Sequence, residues 1–128
     1  MNQARDDKVS ATRTRMAELA AKFIDRSVRE LATMRDALTK LRVAPADAGK
    51  AEALGDLRHL AHRMCGTGAT LGFETLADHA AHLERLAESV PAGVLPDADL
   101  STQIEAGIEA LGAELARLDA ADKRPPGT

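Results

Sequence analysis

The sequence predicts an all-α fold, an antiparallel four-helix bundle, and three observations carry that expectation. Leu and Ala supply most of a hydrophobic content of 45%, while Val and Ile are sparse, which favours helix over sheet. Apolar residues recur at three- and four-residue spacing in four separate stretches. Short, breaker-rich segments join those stretches, so successive helices must turn back on one another. At 128 residues the chain has the length of a single domain with its own core.

The first helix is expected from about Ser10 to Arg42, on the seam Met16, Ala20, Phe23, Leu31, Met34, Leu38 and Leu41. A break near its start would divide off a short extra N-terminal helix. "VAPADAGK" (43–50) is a loop, with Pro45 and Gly49 as breakers. Leu54, Leu57, Ala61, Met64 and Leu71 form the stripe of a second helix, from about Lys50 to Leu71, with Gly72 placed to cap its end. Leu76, Ala80, Leu83, Ala87 and Val90 line a third, which ends before "PAGVLP". Asp97 or Asp99 can cap a fourth, whose seam is Leu100, Ile104, Ile108, Leu111, Leu115 and Leu118. The expected organisation is a flexible start (1–9), the bundle (10–122) and a flexible tail (123–128).

Composition narrows the function classes. Ten Lys/Arg against six Asp/Glu lie between Arg5 and Arg42, and eleven Asp/Glu against two Arg between Glu74 and Asp122. The acids interspersed in the basic half, and the lack of aromatics for base stacking, argue against nucleic acid as a partner. Phe23 and Phe73 are the only aromatics. No apolar run approaches the roughly 20 residues of a membrane span, and the start has no apolar signal segment. Cys65 is the single cysteine, so no internal disulfide forms, and a reducing cytoplasm is the expected location.

The stretch "HLAHRMCGTGATLG" (59–72) is the unusual one, because glycine inside a helix costs about 1 kcal/mol relative to alanine. On a helical wheel His62 lies about 130° from the centre of its helix's apolar stripe, so it faces solvent. Its neighbours on that face are Gly55, Arg58, Cys65, Gly66 and Ala69, all small except Arg58. One imidazole in a bare patch suits phosphoryl transfer, which needs in-line access and charge stabilisation. Gly66, one turn on, lets another molecule approach the ring. The blander reading is a surface histidine. His59 faces solvent, His79 lies at the edge of the third helix's stripe with one hydrogen bond, and His82 flanks it. The pairs His59/His62 and His79/His82 have i,i+3 spacing, but the wheel aims His59 away from the third helix and no Glu-x-x-His motif occurs, so no metal is expected. Cys65 reads as a small packing residue or, less simply, as a redox-sensitive thiol.

"LAHRMCGTGATLGFETLADHAAHLERL" resembles the signature of histidine-containing phosphotransfer (HPt) domains, through Ala61, His62, Met64, Gly66, Gly72, Leu76, Leu83 and Glu84. "LAAKFIDRSVRELATMRDAL" is similar to the family's preceding helix, and together the two stretches cover Leu19 to Leu86. The resemblance implies that His62 exchanges a phosphoryl group with aspartates of receiver domains, with a hybrid histidine kinase upstream. It implies a cytoplasmic monomer with no cofactor, no ATP site and no autonomous catalysis. Gly72-Phe73 is similar to the phospho-accepting domain of chemotaxis-type kinases, where a glutamate aligned with Glu84 hydrogen-bonds the active imidazole. The family's usual lysine three residues after the histidine is Cys65 here, and Arg58, one turn before His62, is the candidate to supply that charge. The alternative is a non-catalytic helical bundle that binds a partner or a metal.

Overall fold

A computed structural model describes residues 3–44, 46–91, 94 and 96–123. Four helices account for nearly all of them: α1 (Gln3–Val43), α2 (Asp47–Thr70), α3 (Glu74–Glu88) and α4 (Ala98–Asp122). Among the described residues there is no strand. Each helix packs on its neighbours in sequence, and α4 closes back on α1, while the backbones of the diagonal pairs lie farther apart. Side-chain meetings fix the directions. Glu30 meets Arg63 while Phe23 meets Gly68, His62 meets Glu84 while Gly68 faces Ala77, and Arg35 meets Glu109 while Arg42 meets Glu105. In each pair the numbers rise along one helix as they fall along the other. The result is an up-down-up-down four-helix bundle.

The core is the seam the periodicity picks out. Met34, Leu57, Ala61, Met64, Leu76, Leu83, Ile104 and Leu111 are fully enclosed. Each buried leucine, isoleucine or methionine contributes about 1.5–3 kcal/mol relative to exposure. Phe23 stacks on Phe73 with ring centroids 5.8 Å apart, tying α1 to the turn between α2 and α3.

That turn is a Schellman motif. Gly72 has φ +86°, its N–H donates to the Ala69 carbonyl (3.2 Å), and the Phe73 N–H donates to the Gly68 carbonyl (2.8 Å). The cap expected at Gly72 is therefore there, one residue beyond Leu71. Asp97 caps α4, its carboxylate accepting from the Leu100 N–H at 2.7 Å.

Several expectations need correction. The first helix is continuous from Gln3, with neither a break nor a separate leader helix, so residues 3–9 of the expected flexible start are helical. Every residue from Gln3 to Leu19 is exposed, and Met16, placed in the core stripe by its spacing, is 45% exposed because no other helix reaches it. The third helix stops at Glu88, which leaves Val90 outside it. The second begins at Asp47 rather than Lys50. Residues 1 and 2, Pro45 and the tail 124–128 lie outside the described residues.

Candidate functional site

His62 sits in the middle of α2, with 70% of its side chain exposed. The cause is the helical period. Ala61 and Met64 turn into the core, and the two residues between them, His62 and Arg63, lie well over 90° from the seam and turn out. Antiparallel packing of α2 on α3 then brings Glu84 beside the ring. His62 Nδ1 lies 2.7 Å from Glu84 Oε2. A carboxylate can only accept, so Nδ1 carries the hydrogen and donates it. That leaves Nε2 with its lone pair, and among the described residues nothing hydrogen-bonds to it. Glu84 is 18% exposed, and a partly enclosed carboxylate is a firmer anchor than a free surface one.

The surface around the ring is open in the way expected at Gly66 but differs elsewhere. A side chain added at Gly66 would meet nothing within 4 Å. The other members of the anticipated bare patch separate. Gly55 and Arg58 line a groove of about 640 Å³ with Leu54, Ala87, Glu88 and Val94, at the end of the bundle that holds the α3–α4 connection. Cys65 is half-buried and packs against the core, the simpler of its two readings. Ala69 remains exposed.

On its α1 side, His62 lines a shallow hollow of about 350 Å³ together with Arg26, Arg63, Gly66, Thr67 and Thr70. Two arginines thus share a concavity with the ring, and sequence reasoning passed over both. Arg63 follows His62 directly and lies about 100° around the helix, which is the signal that could have found it. Arg26 comes from α1, and only the packing register of α1 on α2 places it there. Glu30 stands behind the pair, with Oε1 3.5 Å from Arg26 Nε and 3.7 Å from an Arg63 terminal nitrogen.

The other histidines do not join this site. His59 and His82 are exposed. His79 is half-buried near Glu114, and among the described residues it makes no hydrogen bond of the kind expected for it. Among the described residues no group of three His, Cys, Asp or Glu side chains comes together in a way that could hold a metal ion. No helix among them is long and apolar enough to cross a membrane.

Comparison with known proteins bears on what this geometry is for. Neither curated proteins nor solved structures yielded a match. The sequence pattern of the Hpt domain, however, matches residues 18–121, which takes in the packed part of α1, all of α2 and α3, and nearly all of α4. The exposed first turns of α1 fall outside the match, as they fall outside the bundle. An antiparallel four-helix bundle matched over most of its length, with an exposed histidine at mid-helix, leads to one assignment: the chain belongs to the Hpt domain family.

Proposed function

We propose that this domain relays a phosphoryl group between the aspartates of receiver domains, through Nε2 of His62. What supports the reading most directly is the ring's arrangement: Nδ1 tied to Glu84 at 2.7 Å, and Nε2 free in a 70% exposed side chain. Membership in a phosphotransfer family gives that arrangement its chemical meaning.

The step balances simply. The Nε2 lone pair attacks phosphorus of an aspartyl phosphate, forming the N–P bond. The P–O bond to the aspartate breaks, and its electron pair leaves with the carboxylate. The imidazole, which kept its hydrogen on Nδ1, becomes a phosphoimidazolium, and the Glu84 carboxylate balances that new positive charge. In the return direction the same hydrogen bond keeps the ring protonated on Nδ1, which makes it a good leaving group. The domain supplies a held nucleophile and an open face, while the receiver supplies the rest of the transfer chemistry. In this proposal a hybrid histidine kinase feeds the relay, the domain works as a cytoplasmic monomer, and it needs neither cofactor nor ATP. Consistent with that, the sequence has no Gly-x-x-x-x-Gly-Lys phosphate loop.

The test is transfer from a phosphorylated receiver domain to the protein and to His62→Gln. Label is expected on the unmodified chain in an acid-labile, alkali-stable bond, and none on His62→Gln, whose far-ultraviolet circular dichroism should be unchanged because the ring is exposed. Label retained by His62→Gln would remove His62 from the mechanism. A non-catalytic interaction module, the alternative, would take no label at all.

A further inference from the structure

The family's usual lysine is Cys65 here, half-buried and uncharged, so a phosphoryl group on His62 must find its cation elsewhere. Arg58 stands one turn away, but it lines the groove beside Leu54 and Glu88 and not the hollow that the ring lines. The hollow that the ring itself lines holds Arg26 and Arg63.

We propose that Arg26 of α1 and Arg63 of α2 form the phosphoryl-binding cradle of His62, held ready by Glu30. The proposal rests on the phosphotransfer reading and deepens it. Several observations carry it together. Both guanidinium groups attend a single oxygen, Glu30 Oε1, at 3.5 and 3.7 Å, distances too long for firm hydrogen bonds. Two positive charges therefore share one negative charge. Arg26 Nε and Glu30 Oε2 are both enclosed without a hydrogen-bond partner, so neither group has its bonding capacity filled in the unphosphorylated protein. The Arg26 guanidinium also lies 5.8 Å from the centre of the Phe23 ring, which is itself stacked on Phe73. That contact steadies the arginine against the bundle. At 3.5 and 3.7 Å these pairs are long, so the two forks can lean toward a doubly charged phosphoryl group while still neighbouring Glu30.

Geometry gives the cradle a side. Nδ1 is committed to Glu84 on α3, and the hollow opens on the α1 side of the same ring. The charged groups that face a phosphoryl there are Arg26 and Glu30 from α1 and Arg63 from α2, with Glu84 across the ring from α3. Glu30 acts as a positioning residue. It keeps the guanidinium groups in the hollow when no phosphate is present, and it holds back part of their charge when one is.

A small donor tests this without any partner protein. Phosphoramidate phosphorylates histidine directly: the Nε2 lone pair forms the N–P bond, the donor's P–N bond breaks, and ammonia leaves. The second ionisation of the resulting phosphoryl group is then followed by ³¹P NMR as a function of pH. Nearby cations lower that midpoint by favouring the dianion. In Arg26→Gln/Arg63→Gln the midpoint is expected to rise by about half a pH unit, a roughly threefold change in proton affinity, and labelling is expected to slow by a similar factor. Glu30→Gln should move the midpoint the opposite way, because it frees both arginines. Arg26→Lys/Arg63→Lys should restore part of the shift, and Arg58→Gln should leave it in place. Salt should shrink the differences, since the site is open.

A structural role alone predicts no such reversal of sign. Should the double glutamine variant titrate and label like the unmodified protein, the cradle assignment fails. If only Arg58→Gln moves the midpoint, the charge belongs to Arg58 instead. Single Arg63→Gln, a 45% exposed position whose one ion pair is with Glu30, keeps the comparison available if the double variant loses helicity. An unmodified protein that takes no phosphate on His62 would overturn the phosphotransfer reading itself, and this proposal with it.

Discussion

His62 owes its exposure to its own helix and its orientation to a neighbouring one. The first cause is local, and the sequence displays it: the stripe of Leu57, Ala61 and Met64 leaves position 62 outward. The second is not local. Glu84 entered through resemblance to a family, and its carboxylate lies 2.7 Å from Nδ1 of the ring. Arg26, Arg63 and Glu30 were not legible as a group, because the register of α1 on α2 is set by which side chains interlock, and spacing along one chain does not encode that. Glu84→Gln keeps a hydrogen bond but removes the balancing charge. Allowing for exposure of the ring, that loss is worth about 1 kcal/mol, so transfer from a phosphorylated receiver should slow about fivefold. Stopped-flow or quenched transfer measurements would show it, and an unchanged rate would make Glu84 a bystander.

Two glycines only two residues apart, and so on opposite faces of α2, differ in role for reasons visible at their missing Cβ atoms. At Gly66 nothing lies within 4 Å, whereas at Gly68 Phe23 Cζ, the Phe73 carbonyl and Ala77 Cβ stand at 3.6, 3.7 and 3.8 Å. Gly66→Leu should therefore keep or raise the melting temperature, removing a penalty of up to about 1 kcal/mol, yet slow transfer by covering the approach to the ring. Gly68→Leu has no room and should cost about 1–3 kcal/mol of stability. Thermal melts and transfer rates on the two variants separate access from packing. Equal behaviour in both would mean that the open face at Gly66 is not where the partner docks.

At the scale of elements, the helices were legible where they are buried and illegible where they are not. The seams of α2, α3 and α4 repeat at helical spacing because each touches two neighbours along its length. Gly72 and Asp97 marked their caps because their chemistry, a left-handed backbone and a carboxylate acceptor, is local. The start of α1 carried no such mark. From Gln3 to Leu19 the helix is exposed on every side, so it has no apolar stripe to read, and Met16 only looked like part of one. On α4, Arg117 donates to Glu114 from Nε at 3.1 Å, and this hydrogen bond, with the attraction of its charge, holds the Glu114 carboxyl below the ordinary glutamate range. A carboxyl lowered on folding adds stability that is complete above its unfolded value, about 4.3, and is lost as pH falls through the lower folded one. Arg117→Ala should raise the Glu114 midpoint toward that ordinary value, which a carboxyl-carbon NMR titration reads directly. A midpoint that stayed put would assign the lowering to some other group.

For the whole molecule, the bundle is a scaffold that holds one ring still and leaves half of it free. Three helices meet at His62: α2 carries it, α3 ties Nδ1, and α1 faces the hollow beside it. No pocket encloses the ring, which suits a group whose partner must bring its own active site onto it. The proposed relay thus rests on one atom, Nε2 of His62. With histidine ring nitrogens labelled with ¹⁵N and the protein phosphorylated by phosphoramidate, through-bond coupling between ³¹P and ¹⁵N identifies the nitrogen that carries phosphorus. A single coupled nitrogen is expected, Nε2 of His62, with Nδ1 still bearing its hydrogen. Phosphorus on Nδ1, or on His59, His79 or His82 in place of His62, would contradict it.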